Sequence, residues 1–314
     1  MSALPVRRAL VIKLGNFAEF VLAFGAFSAI RRHHTNAYIT LLTTPSFAGL
    51  ARKSGWFDEV WDDGKPRWRR IGRVARLIWR MRRARFDRVY DLDNSARTAR
   101  YRFWMRDFWG NKAEWSRSTP GFLNLMRGPE TVREHYVEQT ANQLAEAGID
   151  ERATPDLSWL TKDFGGRYGL QDGFVLLAPG NIEAGADRCW PVARFAELAR
   201  RIAIEGRRPV VIGTRPEERN NQLIAAASPD AMDLTAKTTL FDVAALAKRA
   251  SVAVGNDSGI MHLIAAVGCP SVVLTSSAAD AGRSGPRGRY VVMVRKENLS
   301  ELPVTEVAAA LRLG

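Results

Sequence analysis

The sequence predicts an α/β protein made of two doubly wound domains, each built on a parallel sheet. Short aliphatic or β-branched runs alternate with longer amphipathic stretches along all 314 residues, which is the pattern of parallel α/β architecture. The length is about twice the roughly 150 residues typical of one domain. A polar stretch with several Gly and Pro residues, 148–173, separates two such series. We therefore assign residues 1–160 to the first domain and residues 161–314 to the second.

Each element is assigned from its local pattern. Strands are placed where a short run of aliphatic residues lies between turn-forming residues, and helices where apolar residues recur every three or four positions. The predicted strands are 9–14, 38–42, 59–61, 88–92, 174–178, 209–213, 232–234, 252–255, 271–274 and 290–294. The predicted helices are 20–32, 45–53, 68–85, 131–147, 192–205, 216–227, 240–250, 259–267 and 304–313. The last helix can pack back on the first domain.

The composition excludes several classes of protein. With 46% hydrophobic and 25% charged residues and no repetitive stretch, the chain is neither disordered, collagen-like nor a repeat array. Its two cysteines, Cys189 and Cys269, cannot form a disulfide framework or a four-ligand zinc site, so a reducing cytoplasm fits best. The apolar run 20–30 is too short to span a bilayer, and no clean cleavage site of a signal peptide follows it.

The charge is strongly asymmetric and predicts an anionic partner. The formal net charge is +13, and residues 1–160 carry 27 Lys and Arg against 17 Asp and Glu. The segment 67–88 contains ten arginines interleaved with apolar residues at helical spacing, which is most simply a surface helix with one buried face. Its charge also suits docking on anionic membrane lipids or an acidic glycolipid. Nucleic acid is not expected, because no recognition motif accompanies the arginines.

The segment 252–274, VAVGNDSGIMHLIAAVGCPSVVL, is the most informative. A strand ends in a tight turn that leads into an apolar helix, which is where ligands of doubly wound sheets bind. Asp257 or Ser258 can cap this helix and leave the amides of residues 259–261 directed at an anion such as a diphosphate. The alternative is an ordinary capped turn with His262 packed on its own helix.

Two further loops follow predicted strands. After the strand 174–178 come Pro179, Gly180 and Asn181, and the later Arg188 precedes a helix, where it can bring a positive charge to an anion or merely be solvated. After the first strand, the loop 13–19 ends in Glu19. That carboxylate can stabilise a helix amino terminus, or it can remove a proton from an acceptor hydroxyl.

These segments together resemble glycosyltransferase family 9, the ADP-heptose:lipopolysaccharide heptosyltransferases and their relatives. The family pattern (V/I)-(I/V)-(R/K)-L-x-x-x-G-D is approached at 11–19, the pattern P-G-x…(K/R)-x-W-P is met at 179–191, and G-N-D-S-G-x-M-H-L-x-A-A-x-G-x-P is met at 255–270. The resemblance covers nearly the whole chain in the correct order. It implies the GT-B fold, in which two Rossmann-like domains face each other across a cleft and the second holds most of the donor.

The resemblance also implies an activity and its residues. The reaction would move a heptose or similar sugar, with inversion and without metal or cofactor, from a nucleotide diphosphate sugar, an ADP-sugar above all, to a lipopolysaccharide-type or other anionic glycan. Donor-binding residues would be Gly180, Asn181, Arg188, Glu217, Glu218, Thr238, Asp257, Ser258, Gly259, Ile260, Met261 and His262. The positive charge of the first half, and not the resemblance, assigns Lys13, Arg73, Arg76, Arg80 and Arg83 to the acceptor side. The enzyme would act in the cytoplasm, in peripheral contact with the inner face of the membrane.

One departure from the family pattern affects the proposed base. The family has Gly-Asp where this chain has Ala18-Glu19, so the carboxylate is retained on a longer arm. The departure keeps open a second function, a catalytically silent nucleotide-sugar-binding protein at the membrane surface. An NAD-dependent oxidoreductase is not expected, since the loop 13–19 lacks the G-x-G-x-x-G motif. The D-x-D sequence at Asp91 and Asp93 ends a predicted inner strand, and no metal is expected there.

Overall fold

The computed structural model describes residues 5–62, 65–67, 71–108, 113–117, 134–160, 166–180, 189–277 and 281–311. The chain divides into two compact units between Thr154 and Pro155, inside the stretch 148–173 that the sequence indicates as a linker. Each unit contains one parallel sheet, as the alternating pattern predicts.

The sheet of the first unit has five parallel strands in the order β3-β2-β1-β4-β5. They are β1 Arg8–Ile12, β2 Tyr38–Leu42, β3 Glu59–Trp61, β4 Arg88–Asp91 and β5 Glu114–Arg117. The helices are α1 Phe17–Leu22, α2 Phe24–His33, α3 Pro45–Lys53, α4 Ile71–Arg83, α5 Ala96–Arg102 and α6 Tyr136–Glu146, with a π-helical turn at Phe103–Phe108. The apolar faces of β1 and β4 form one core with Leu77 and Met81 of α4.

Three predictions for this unit need correction. The predicted helix 20–32 is two helices, divided at Ala23, where the backbone ψ of −10° departs from the usual helical value. The helix predicted at 131–147 begins at Tyr136, where the His135 side chain caps it, and residues 131–133 lie outside the described part. The strand β5 and the helix α5 were not predicted, since neither has an apolar run.

The sheet of the second unit has six parallel strands in the order β11-β10-β9-β6-β7-β8. They are β6 Val175–Ala178, β7 Pro209–Val211, β8 Met232–Asp233, β9 Val252–Asn256, β10 Ser271–Ser276 and β11 Val291–Lys296. The helices are α7 Val192–Ile204, α8 Glu218–Ala225, α9 Leu240–Arg249, α10 Gly259–Ala266, α11 Ala281–Ser284 and α12 Val304–Ala310, with 3-10 turns at Arg215–Glu217 and Leu299–Glu301. The last helix, α12, packs on α7, and its Val304 and Val307 belong to the core of this unit.

The strand order of each unit fixes where a ligand can bind. In the first unit β1 lies between β2 and β4, and in the second unit β6 lies between β7 and β9. In each sheet the second and third strands of the unit are added on one side of its first strand, and the later strands are added on the other side. A crevice forms at such a switch point, outside the carboxyl ends of the two central strands. The loops after β1 and β4, and those after β6 and β9, are therefore the positions where a site is expected.

Candidate functional site

At the switch point of the first unit, the loop after β1 brings a lysine and a glutamate together. The Lys13 ammonium donates to Glu19 Oε2 at 2.8 Å. The Lys13 side chain is 0% exposed, whereas that of Glu19 is 34% exposed. Glu19 is thus the member of the pair that solvent can reach, and the charge of Lys13 is directed inward. The assignment of Lys13 to the acceptor side stays a prediction, and its contact with that side would be through Glu19.

Groups from two other parts of the unit, the turn after β4 and the start of α6, surround the Lys13 ammonium. It donates to the Leu92 carbonyl at 3.3 Å, lies 4.0 Å from Asp93 Oδ1, and lies 4.5 Å from the ring centre of Tyr136. Burial would lower the pKa of Lys13, but Tyr136, Glu19 and Asp93 together raise it above its ordinary value. Burial raises the pKa of Tyr136 to about 12. Lys13 is therefore a buried cation, and Tyr136 is a neutral phenol.

The local sequence explains the position of Glu19. Asn16 is the N-cap residue of α1, and its Oδ1 accepts from the Glu19 backbone N–H at 2.9 Å. In return, Asn16 Nδ2 donates to Glu19 Oε1 at 3.2 Å. Glu19 thus takes part in capping α1 while its carboxylate stays partly open to solvent. The two roles considered for Glu19 in the sequence are compatible in the fold.

At the switch point of the second unit, the amino terminus of α10 meets the loop after β6. Gly180 has φ +72°, a conformation that favours glycine, and a Cβ at this position would lie 3.5 Å from Ser258 Cβ. Ser258 is the N-cap residue of α10, but its side chain makes no capping hydrogen bond, contrary to the prediction that it or Asp257 would cap the helix. The first amides of α10 are therefore left without a side-chain acceptor from the N-cap residue.

Asp257 and His262 lie beside this helix terminus. Asp257 Oδ1 is 3.7 Å from His262 Nε2, and the His262 side chain is only 2% exposed. Within the described ranges, neither Ser258 Oγ nor His262 Nδ1 has a hydrogen-bond partner, although both atoms are buried. Buried polar atoms normally have partners, so a polar ligand at this point would supply what the protein lacks.

Asn256 connects the two loops of this site and was not singled out in the sequence. Its Nδ2 donates to the Pro179 carbonyl at 2.6 Å, and its Oδ1 accepts from the Trp190 backbone N–H at 2.9 Å. One buried amide therefore holds both ends of the segment that contains Asn181 and Arg188. Those two predicted donor residues themselves lie outside the described ranges.

The remaining predicted donor residues follow the neighbouring strands β7 and β8. Glu217 folds back to cap its own 3-10 turn, where its carboxylate accepts from the Thr214 hydroxyl at 3.0 Å. Glu218 is exposed at the start of α8. Thr238 is half-buried just before Thr239, which is the residue that caps α9. Because β9, β6, β7 and β8 are consecutive and parallel, all these loops lie along one edge of the sheet.

The arginine-rich helix α4 has the buried face that its spacing predicts. Val74, Leu77, Ile78 and Met81 are buried. Three of the arginines predicted for the acceptor side are exposed, namely Arg73, Arg76 and Arg83. The fourth, Arg80, is held within the unit, since it donates to Glu59 at 2.8 Å and its guanidinium lies 4.0 Å from the ring centre of Trp61. Arg80 therefore contributes less free charge to this surface than the spacing alone suggests.

Comparison with known proteins identifies the family. A model of the family described as glycosyltransferase family 9 (heptosyltransferase) matches residues 74–309. The chain belongs to glycosyltransferase family 9. The match includes the second switch point but begins after the Glu19 loop.

This family 9 chain resembles known members in sequence and in fold. The lipopolysaccharide heptosyltransferase 2 of Salmonella typhimurium is 27% identical over 229 residues, and the match covers 65% of this chain but only 64% of that relative. The crystal structure of a family 9 glycosyltransferase from Veillonella parvula matches over 98% of this chain and 96% of its own, with TM-score 0.81 and 18% identity. E. coli heptosyltransferase WaaC with ADP-2-deoxy-2-fluoro heptose matches over 97% and 99%, with TM-score 0.74 and 18% identity. These structures confirm the predicted GT-B fold class.

The described residues of this family 9 chain contain neither a cluster of metal-binding side chains nor a helix that could span a membrane. In the ranges that the structure describes, no three His, Cys, Asp or Glu side chains are grouped so as to hold a metal ion. In the D-x-D sequence, Asp91 instead accepts hydrogen bonds from the backbone N–H groups of Asp93 and Asn94. No helix within these ranges has both the length and the apolar character needed to cross a bilayer.

Proposed function

We propose that the protein transfers a heptose or similar sugar from an ADP-sugar to a lipopolysaccharide-type or other anionic glycan, with inversion at the anomeric carbon. The observation that carries this proposal is the amino terminus of α10. It lies at the switch point beside Gly180, and its N-cap residue, Ser258, makes no capping hydrogen bond. Family membership supports the reaction class. The Salmonella relative is named a lipopolysaccharide heptosyltransferase, and the E. coli structure contains an ADP-sugar analogue.

The second unit would hold the donor. The amides of Gly259 and Ile260 suit the diphosphate, because a helix amino terminus presents N–H groups and a partial positive charge to an anion. The Met261 N–H lies in the same turn and donates to the Ser258 carbonyl at 3.0 Å. Asp257 would bind hydroxyl groups of the sugar, and Arg188 would add a full positive charge at the diphosphate. Glu217 or Glu218 would reach the ribose, and Thr238 would border the base. The same groups would stabilise the negative charge that develops on the departing diphosphate, so we propose a metal-independent reaction.

The first unit would supply the base. Glu19 is a partly exposed carboxylate at the first switch point, and it would take the proton from the acceptor hydroxyl as that oxygen attacks the anomeric carbon. Attack on the side opposite the departing diphosphate inverts the configuration. The longer arm of Glu19, compared with the aspartate of the family pattern, places its carboxylate against Lys13.

The exposed face of α4 would meet the acceptor side at the membrane. Besides Arg73, Arg76 and Arg83, it exposes Ile71 at 76% and Trp79 at 57%. Basic residues around exposed apolar side chains suit a surface of anionic lipid or acidic glycolipid. We therefore propose peripheral contact with the inner face of the cytoplasmic membrane, where a lipid-linked acceptor would be presented.

The second candidate function, a silent nucleotide-sugar-binding protein, is favoured by Ala18-Glu19 in place of Gly-Asp. Turnover of ADP-heptose with a lipopolysaccharide core acceptor separates the two, with donor affinity measured by calorimetry. We expect turnover in the unmodified protein and a 10²- to 10⁴-fold loss in Glu19→Gln at unchanged donor affinity. Glu146→Gln, an exposed carboxylate of the same unit, is the matched control. Donor binding without any turnover would establish the silent protein, and full turnover by Glu19→Gln would remove Glu19 as the base.

A further inference from the structure

The Lys13 ammonium is a full charge that neither donor binding nor proton transfer uses. A buried cation is unfavourable unless it is paired and hydrogen-bonded, so its surroundings indicate its role. Every group described around it belongs to the same small cluster: Glu19 Oε2 at 2.8 Å, the Leu92 carbonyl at 3.3 Å, Asp93 Oδ1 at 4.0 Å and the ring of Tyr136 at 4.5 Å. Of these charged partners, Glu19 is the one that solvent reaches.

We propose that Lys13, Gly15 and Asp93 form a seat that positions the Glu19 carboxylate for proton transfer. Lys13 binds one carboxylate oxygen, and Gly15 leaves the space that the carboxylate occupies. Asp93 fixes the loop that contains Lys13 and Gly15. The proposal rests on the function proposed above, and it assigns these three residues as positioning residues that act through Glu19.

Lys13 distinguishes the two oxygens of Glu19. Oε2 accepts from the charged ammonium at 2.8 Å, whereas Oε1 accepts from the neutral amide of Asn16 at 3.2 Å. The bond to a charged donor is the stronger one, so Oε2 is the fixed oxygen. Oε1 is then the oxygen that takes the acceptor proton, while the ammonium keeps its own protons.

Asp93 fixes the loop from the opposite side of the switch point. Its Oδ1 accepts from the Leu14 backbone N–H at 2.9 Å, which ties the end of β1 to the turn after β4. The Asp93 side chain is only 6% exposed. Tyr136 completes the enclosure, because its hydroxyl donates to the Leu92 carbonyl at 2.8 Å while its ring covers the ammonium. The seat is therefore formed by the loop after β1 and the turn after β4, and Tyr136 at the start of α6 covers it.

Gly15 leaves the room in which the Glu19 carboxylate lies. A Cβ placed on Gly15 would lie 2.5 Å from Glu19 Oε2, 3.2 Å from Lys13 Nζ and 3.5 Å from Asp93 Oδ1. The first distance is shorter than real contacts of a Cβ, so the Glu19 carboxylate would have to shift from its position beside Lys13. A side chain shorter by one methylene at position 19 would not reach this point.

The first experiment is a double-mutant cycle with turnover and donor affinity as readouts. We expect Gly15→Ala to lower kcat about 100-fold, as a displacement of the base by about 1 Å does, with the donor Kd unchanged. Gly49→Ala is the control, because a Cβ there meets nothing within 4 Å, and it should leave kcat unchanged. Added to Glu19→Asp, the Gly15→Ala change should lower kcat by less than about threefold. An equal loss in both backgrounds, or full kcat in Gly15→Ala, would overturn the seat.

The second experiment tests the seat without catalysis. In protein labelled with ¹³C-glutamate, the side-chain carboxyl resonance of Glu19 is assigned by its disappearance in Glu19→Gln. We expect Lys13→Met and Gly15→Ala each to move this resonance. Lys65→Met should leave it in place, although the Lys65 ammonium donates to the Gly15 carbonyl at 3.4 Å. A resonance that stays in place in Gly15→Ala refutes the seat, and this holds even if Lys13→Met does not fold.

The two readouts distinguish the seat from the function on which it rests. If the resonance moves but Glu19→Gln turns over at the full rate, the seat exists and Glu19 is not the base. If Glu19→Gln is inactive but the resonance does not move, Glu19 is the base and the seat is wrong.

Discussion

The side-chain carbonyl of Asn256 accepts a hydrogen bond from the backbone N–H of Trp190 at 2.9 Å, across 66 positions of sequence. Through its Nδ2 the same side chain holds the Pro179 carbonyl at 2.6 Å. The buried Trp190 ring packs edge-on against Phe195, with ring centres 4.8 Å apart. The polar turn after β9 is in this way tied to the hydrophobic core behind the donor loop.

Replacing Asn256 by Ala should destabilise the second unit. The change leaves the Trp190 N–H and the Pro179 carbonyl buried without their partner, and each such group costs about 1 to 3 kcal/mol. Urea unfolding should show this loss in Asn256→Ala and none in Asn220→Ala, a half-buried asparagine on α8. Donor affinity should fall as well, because Gly180 lies in the loop that is released. Equal stability of the two variants would show that the amide is replaceable.

Asp257→Ala should weaken donor binding while the fold stays intact. Loss of one charge-assisted hydrogen bond costs about 1.5 to 3 kcal/mol, and calorimetry with an ADP-sugar measures it directly. Arg188→Ala should have a similar effect through the diphosphate. Asp230→Ala, an exposed carboxylate of the same unit, is the control and should bind normally. Normal affinity in both Asp257→Ala and Arg188→Ala would exclude this donor site.

Changing the exposed arginines of α4 should reduce binding to anionic membranes. The triple variant Arg73→Gln, Arg76→Gln and Arg83→Gln should lose about 1 kcal/mol per residue in vesicle sedimentation, with a flatter salt dependence. Arg80 is left unchanged because it pairs with Glu59.

A second triple variant of the same net charge, with Arg200, Arg289 and Arg295 changed to Gln on exposed parts of the second unit, is the control for total charge. It should keep most of the vesicle binding. Similar losses in both triple variants would mean that total charge, and not the face of α4, governs the contact. Donor affinity should be unchanged in both.

His34 should make the stability of the protein depend on pH. Burial, followed by the charges of His33, Arg88 and Arg31, lowers the pKa of His34 to about 4. The folded state keeps this ring neutral, so the unfolded state binds the extra proton once the pH falls below about 6.5. The stability that this provides is complete above pH 6.5 and is lost as the pH falls towards 4.

Urea unfolding at pH 7 and pH 5 measures this contribution. We expect His34 to account for about 1 to 2 kcal/mol of the difference between the two pH values. The His34→Gln variant should lose this pH-dependent contribution to stability. Its amide can retain the hydrogen bond with the Tyr90 hydroxyl, which now lies 2.7 Å from His34 Nε2. The exposed neighbour His33 is the control, and His33→Gln should keep most of it. An unchanged pH difference in His34→Gln would contradict the assignment.

Two glycine-to-alanine changes should have opposite signs. A Cβ at Gly255 would lie 2.2 Å from the Ala178 carbonyl oxygen on the adjacent strand, so Gly255→Ala should destabilise by about 1 to 3 kcal/mol. A Cβ at Gly72, in α4, meets nothing within 4 Å, so Gly72→Ala should stabilise by about 0.5 to 1 kcal/mol through helix propensity. Thermal unfolding of the two variants checks both signs, and a stable Gly255→Ala would show that β6 and β9 can separate there.

The sequence alone was sufficient to predict most strands and the loops after β1, β6 and β9, where the candidate site residues lie. The buried strands β2 and β9 are apolar runs between turn residues, and a run of this kind predicts a strand directly. The strand β5, Glu114–Arg117, lies at the end of the sheet formed by the described strands. It has no apolar run, so the sequence pattern does not indicate it. The division between α1 and α2 at Ala23 could not be predicted for the opposite reason: almost every residue around it is buried, so the sequence shows no helical period there.

The same limit applies to the site. Glu19, Asp257 and Ser258 each lie in a loop that follows a strand. A few neighbouring residues in the sequence are enough to predict that such a loop can bind a ligand. Asp93 and Tyr136 reach Lys13 from distant parts of the chain, and no spacing in the sequence relates them to it. The burial of Lys13 is likewise a product of packing, which a pattern of residue types does not contain.

The close approach of Gly15 to Glu19 also couples the residue types at these two positions. A Cβ at position 15 would displace the carboxylate of a glutamate at position 19, whereas glycine leaves it beside Lys13. The effect of a substitution at either position therefore depends on the residue at the other, so the two positions are epistatic. A comparison of family members that treats positions 15 and 19 one at a time would miss this dependence.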